Sequence, residues 1–232
     1  MLCKGLKFEI SKFAVSDACP RRSMSVFLLP MQELHPLTHQ GLPSAVRWSH
    51  IFLESHLRAG DLAVDATAGN GHDTLFLSHL VGPKGHVFAL DVQAAALEST
   101  RRRLEDHGIQ LNRHSLIQAG HESLLQSIPC SFHGRIKGIM FNLGWLPGSD
   151  KGIMTRAQTT LPALDAALHL LAPGGLLTLA VYPGHEGGRE ERQAICQWAD
   201  QLPIRSFEVQ QIRPINPAAH PPECWVFWKK KV

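Results

Sequence analysis

Apolar positions fall into two alternating rhythms from about residue 45 onward. At 45–57, Val46, Ile51, Phe52 and Leu57 recur at helical spacing and Gly60 follows, which predicts a short amphipathic helix. Compact apolar runs then predict strands at 62–65, 86–91, 115–118, 136–141 and 176–182. The last is apolar throughout and is therefore expected near the centre of a sheet. Helical patterning fills the gaps. It covers 74–80; 93–107, with Ala96, Leu97 and Leu104 inward and Arg101, Arg102 and Arg103 outward; 160–171; and 189–202. Gly108 stops the second of these helices, and Ala172-Pro173-Gly174-Gly175 is read as a breaker that closes the third. The last two runs, 206–212 and 223–228, have only a proline-rich loop between them. That loop leaves no room for a crossover helix, so the two strands should pair antiparallel. The pattern predicts an α/β fold: a seven-stranded, mostly parallel sheet with an antiparallel terminal pair. Residues 1–40 show no sustained periodicity and are read as a leader of uncertain order, ahead of one domain at 41–232.

The first strand runs into Asp65-Ala66-Thr67-Ala68-Gly69-Asn70-Gly71-His72-Asp73-Thr74, and the second ends in Asp91. Strand, glycine turn, helix, strand and terminal acid describe the Rossmann-like half of a nucleotide-binding fold. Gly69 and Gly71 let backbone approach a ligand at a helix start, and Asp91 suits a ribose diol. The third glycine of the dinucleotide fingerprint is missing, because Thr74 stands there. A carboxylate at Asp65 or Asp73 would repel a pyrophosphate but can hold an ammonium. The turn therefore favours S-adenosylmethionine, with Asp65, Gly69, Asn70, Gly71, Asp73, Asp91 and Gln93 as candidate cofactor residues. Gly120 and His121, after the third strand, occupy the edge that would meet adenine. A nicotinamide-dependent oxidoreductase is the alternative from another class, and a non-catalytic RNA-binding module a further one.

Composition narrows the setting. A net charge of +3 permits an anionic partner without demanding one. Five cysteines without a Cys-x-x-Cys pair argue against a disulfide framework or zinc ribbon and suit a reducing, cytoplasmic compartment. No apolar run approaches the ~20 residues of a membrane span; among the fourteen histidines the one tight pair outside the fold, His35-x3-His39, lies in the leader and reads as a surface pair, and His72 in the turn is a single histidine, so neither membrane nor metal is expected. Met24 and Met31 are both alternative starts. A homodimer is compatible with these features.

After the fourth strand comes Asn142-Leu143-Gly144-Trp145-Leu146-Pro147-Gly148, then Asp150-Lys151. Asn-x-x-aromatic resembles the Asn-Pro-Pro-Tyr signature of nitrogen-directed methyltransferases, which makes Asn142 and Trp145 the candidate catalytic residues. Together with Tyr182-Pro183-Gly184-His185, Asn216 and Pro221-Pro222, these strings resemble the small methyltransferases once labelled rRNA methylases. Members of that family include the tRNA 5-aminomethyl-2-thiouridine methyltransferase. The resemblance covers about residues 45–230; the chain departs from the family at Trp145, where Tyr is usual, and at Pro183. It implies a class I methyltransferase fold and transfer of a methyl group from S-adenosylmethionine. The acceptor it implies is the exocyclic amine of 5-aminomethyl-(2-thio)uridine at wobble position 34, with the tRNA anticodon stem-loop as partner. An rRNA or small-molecule acceptor is the alternative within the same chemistry. Lys151, Arg156, His185, Arg189 and Arg192 are candidate contacts to anticodon phosphates, and Lys229-Lys230-Lys231 reads as a solubilising tail.

Overall fold

The computed structural model describes residues 41–144, 155–216 and 220–231. The chain alternates through α1 (Ala45–His56), β1 (Leu62–Asp65), α2 (His72–Val81), β2 (His86–Asp91), α3 (Ala94–Asp106) and β3 (His114–Gln118). It continues through α4 (Leu124–Ser127), β4 (Ile136–Asn142), α5 (Ala157–Leu170), β5 (Leu171–Val181), α6 (Gly188–Asp200), β6 (Phe207–Ile212) and β7 (Glu223–Lys229). Seven strands form one sheet in the order β3-β2-β1-β4-β5-β7-β6. Pairing is parallel from β3 to β5, and β7 is antiparallel to both β5 and β6. The expected terminal pair is present, and it is the last strand that inserts against β5. Six strands thus share one direction and β7 alone opposes them.

Successive side chains on each strand face opposite layers. Ala63, Val87, Met140, Leu176 and Ala180 pack with Leu53 of α1 and Phe76 and Leu77 of α2. Val64, Phe88, Ile139, Phe141, Leu177 and Leu179 pack with α5 and with Ile195 of α6. Covering both faces explains why the central strands read as unbroken apolar runs. Gly138 of β4 allows a close approach, since a Cβ there would lie 3.0 Å from Leu53 and Leu57 side-chain carbons.

The cluster Ala172-Pro173-Gly174-Gly175 does not end the helix before a separate strand, as its composition suggests. It lies inside β5: Ile136 pairs with Leu171 and Gly138 with Leu176, so those four residues bulge opposite Lys137 alone. Lys229 is not part of a loose tail either. It closes β7, and its ammonium donates to the carbonyls of Leu168 and Leu171 at 2.8 Å each, capping the C-terminal end of α5. Among the described residues no helix is long and apolar enough to cross a membrane.

Candidate active site

A cleft of about 810 Å³ opens over the carboxyl ends of β1, β2, β4 and β5, the edge where parallel α/β sheets hold ligands. The turn from β1 into α2 forms its floor. Gly71 caps α2 with φ of +79°, a conformation that favours glycine, and sits against Thr100 of α3. Asp91 closes β2 and accepts hydrogen bonds from Gly69 N and Gln93 N, each at 2.9 Å. One carboxylate thereby ties the glycine turn to the start of α3 and still faces the cleft. On the far side of the turn, Arg103 Nε donates to Asn70 O at 2.7 Å and Thr100 Oγ1 to Gly69 O at 3.1 Å.

Asp65 lies beneath the turn and is fully buried. It accepts from Thr74 Oγ1 at 2.6 Å and from Thr67 N at 3.1 Å. Burial, then the nearby Asp73 charge, raises its carboxyl to about 7. Asp65 does not line the cleft, whereas Asp73, in the first turn of α2, does. Asp73 Oδ1 meets His50 Nε2 of α1 at 2.8 Å, and Asn142 Nδ2 donates to Asp73 Oδ2 at 3.4 Å. Asn142 ends β4, and its own N–H donates to Thr67 Oγ1 at 2.8 Å. Tyr182, just past β5, hydrogen-bonds the Asn142 side chain; burial first, and then Asp73, hold its phenol above the usual value.

Gly144 and Thr155 are tied to each other. Gly144 N donates to Thr155 Oγ1 at 2.9 Å, and Thr155 N donates to Gly144 O at 2.9 Å. Thr155 Oγ1 in turn donates to Glu191 Oε2 at 3.1 Å, and Thr160 Oγ1 to Glu191 Oε1 at 2.6 Å. Glu191 is buried in α6, and that burial raises its carboxyl pKa. At the opposite end of the cleft lie Val92, Ala119, Gly120, His121 and Glu122. His121 is buried against Phe141 with no hydrogen-bond partner on Nε2 among the described residues, and its burial lowers the imidazole pKa.

Of the residues singled out in the sequence, Gly69, Asn70, Asp73, Asp91, Gln93, Gly120, His121 and Asn142 line one cleft. Asp65 and Gly71 support it from below and behind. Trp145, like Lys151, lies outside the described residues. Arg192 donates to both Glu223 oxygens, at 3.1 and 3.2 Å, and is engaged in an internal ion pair. The sequence reading missed Thr67, Thr155, Glu191 and His50. Tyr182 carried a signal, being the single tyrosine of the chain.

Known proteins resemble this chain over most of its length. The model of the family described as "Putative rRNA methylase" matches residues 87–228. A chloroplastic tRNA (mnm(5)s(2)U34)-methyltransferase of Arabidopsis thaliana is 35% identical over 229 residues, covering 96% of this chain and 83% of that protein. A Clostridium thermocellum protein solved under the same rRNA-methylase description superposes with a TM-score of 0.77 at 37% identity, over 82% of this chain and 99% of its own. A Streptococcus mutans protein solved in complex with SAH gives 0.72 at 35% identity, with the same coverage. With a family model spanning more than half its length, a relative aligned nearly end to end and the sheet order described above, the chain belongs to the rRNA-methylase family of class I methyltransferases.

Proposed function

We propose that this chain transfers a methyl group from S-adenosylmethionine to the exocyclic amine of 5-aminomethyl-(2-thio)uridine at tRNA position 34, in the cytoplasm. The acceptor is suggested by the Arabidopsis relative's name and by Asn142 at the end of β4. The single observation that carries the reading is the meeting of Asn142, Asp73 and Tyr182 in the same cleft as Asp91.

The residues present fit this cofactor. The cleft volume falls within the ~300–1,000 Å³ usual for small-molecule sites. Asp91 would hold the ribose hydroxyls, Asp73 the methionine ammonium, and the unpartnered His121 Nε2 with Val92 and Ala119 the adenine. The S. mutans neighbour solved with SAH supports the choice. When bound, the cofactor supplies an electrophilic methyl group on a sulfonium.

The chain's own residues must then present a neutral amine in line with that methyl group. An alkylamine with a pKa near ~10 is about 0.1% neutral at pH 7, so deprotonation costs ~4 kcal/mol. Exclusion of water by the cleft walls lowers the cost, because burial disfavours the ammonium. The Asn142 amide oxygen accepts a hydrogen bond from the amine N–H and leaves the nitrogen lone pair for attack. Orientation of this kind contributes up to ~7–11 kcal/mol towards the barrier. No cysteine is needed, since the amine is itself the nucleophile.

The test is the nucleoside profile of tRNA from cells with and without the gene, joined to transfer assays with purified protein. Loss of 5-methylaminomethyl nucleosides, with Asn142→Ala lowering turnover ~10²-fold or more, is expected. An unchanged profile would refute the acceptor assignment. Methylation of rRNA or a small molecule alone would point to the alternative acceptor.

A further inference from the structure

We propose that His50 and Asp73 form a positioning pair that sets the side-chain amide of Asn142 for its acceptor role; the proposal rests on the amine-methylation reading above. His50 lies on α1, outside every motif of the cofactor turn, and does not line the cleft. Its imidazole stacks on Phe76, one turn after Asp73 on α2, with ring centroids 3.9 Å apart and planes within 15°. One helix therefore supplies both the shelf under the ring and the carboxylate at its edge. His50 Nε2 reaches Asp73 Oδ1 at 2.8 Å, with side-chain exposures of 19% and 10%.

A carboxylate only accepts hydrogen bonds. The partner nitrogen of His50 must therefore carry its hydrogen, and the Asn142 amide must turn its NH2 group towards Asp73 Oδ2, as it does at 3.4 Å. With its NH2 group turned to Asp73, the amide has Oδ1 left to accept from an incoming N–H. A flipped amide would set its oxygen against the Asp73 carboxylate. By engaging Oδ1 of Asp73, His50 orients the carboxylate so that its second oxygen meets Asn142.

The experiment compares the full chain with His50→Ala and with His50→Gln, whose amide can still donate to Asp73. Three quantities are measured: S-adenosylmethionine affinity by calorimetry, single-turnover methyl transfer to an aminomethyluridine-containing tRNA, and the 15N–1H signals of the Asn142 side chain. His50→Ala should slow the transfer step ~10²-fold, shift both Asn142 amide signals and weaken cofactor affinity far less than it slows transfer. His50→Gln should recover most of the rate and the signals. A wild-type rate in His50→Ala, unmoved amide signals, or a loss of cofactor affinity matching the loss of rate would overturn the proposal. Should the wild-type protein methylate no amine, the acceptor reading fails by itself, and the Asn142 signals in the two variants still decide whether His50 sets the amide.

Discussion

The backbone N–H of Gly69 donates to the carboxylate of Asp91 across 2.9 Å, joining the turn after β1 to the end of β2. A second donor, Gln93 N, reaches the same carboxylate from the start of α3. Asp91 thus braces the cofactor turn as well as facing the cleft. Each charge-assisted bond contributes about 1.5–3 kcal/mol, so Asp91→Ala should weaken S-adenosylmethionine binding at least ~10²-fold. Asp91→Asn, which keeps one acceptor oxygen, should fall between Asp91→Ala and wild type. Calorimetric titration with the cofactor checks both, and equal affinities for wild type and Asp91→Ala would remove Asp91 from the site.

Gly71 combines two constraints. Its φ of +79° is unfavourable for any residue with a Cβ, and a Cβ there would lie 2.7 Å from the Thr100 Cα. The left-handed backbone alone costs roughly 1–2 kcal/mol, and a backbone clash adds to that. Gly71→Ala should therefore lower Tm and weaken cofactor binding together, because relief requires α2 to move away from α3. A melt and a titration of the same sample show whether the two losses occur together; an unchanged Tm would refute the packing argument.

Glu191 is a buried carboxylate whose two oxygens take the hydroxyls of Thr155 and Thr160, and Thr155 accepts from Gly144. Glu191→Ala would leave the buried Thr160 hydroxyl without its acceptor and free the Thr155 hydroxyl that accepts from Gly144 N. The expected cost is about 2 kcal/mol of stability, with turnover falling more than cofactor affinity. Glu191→Gln keeps an acceptor for Thr160 and should stay close to wild type. Denaturant melts of the two variants decide the point: if Glu191→Ala were as stable as Glu191→Gln, the clamp would have no energetic role.

Particular residues show why parts of the site were legible in the sequence and others were not. Asp91 and Asn142 each end an apolar run, and a strand end in a parallel sheet is where ligands bind, so pattern and position coincide. His50 has no such marker: helical periodicity in α1 reports the face carrying Ala45, Ser49 and Leu53, and nothing local says that the neighbouring position meets α2. Glu191 appeared as one acid in a charged helix, and its burial follows from docking of α6 on α5, a contact made across 31 residues of chain. At Ala172-Pro173-Gly174-Gly175, breaker composition was visible, but whether such a cluster ends a strand or bulges within it depends on pairing with β4. Hairpin geometry predicted that β6 and β7 pair, while the choice of β7 as the neighbour of β5 lies in packing alone.

Asp65 offers a pH-dependent test of how the turn is supported. Its carboxyl is raised from 3.8 to about 7, first by burial and then by the Asp73 charge, with Thr74 and Thr67 opposing the rise. Between those two values the folded state binds a proton that the unfolded chain has released, so stability falls as pH rises through the window. The contribution is fully present below 3.8 and is lost above about 7. Asp65→Asn carries no charge to bury. Its amide oxygen accepts from Thr67 N, and its nitrogen donates to the Thr74 hydroxyl, which can accept in place of donating. The variant should therefore melt several degrees above wild type at pH 8, given about 2–4 °C per kcal/mol for a domain of this size. The advantage should shrink towards zero by pH 4. A difference in Tm between the two proteins that stayed constant from pH 4 to 8 would show that Asp65 does not titrate within the fold.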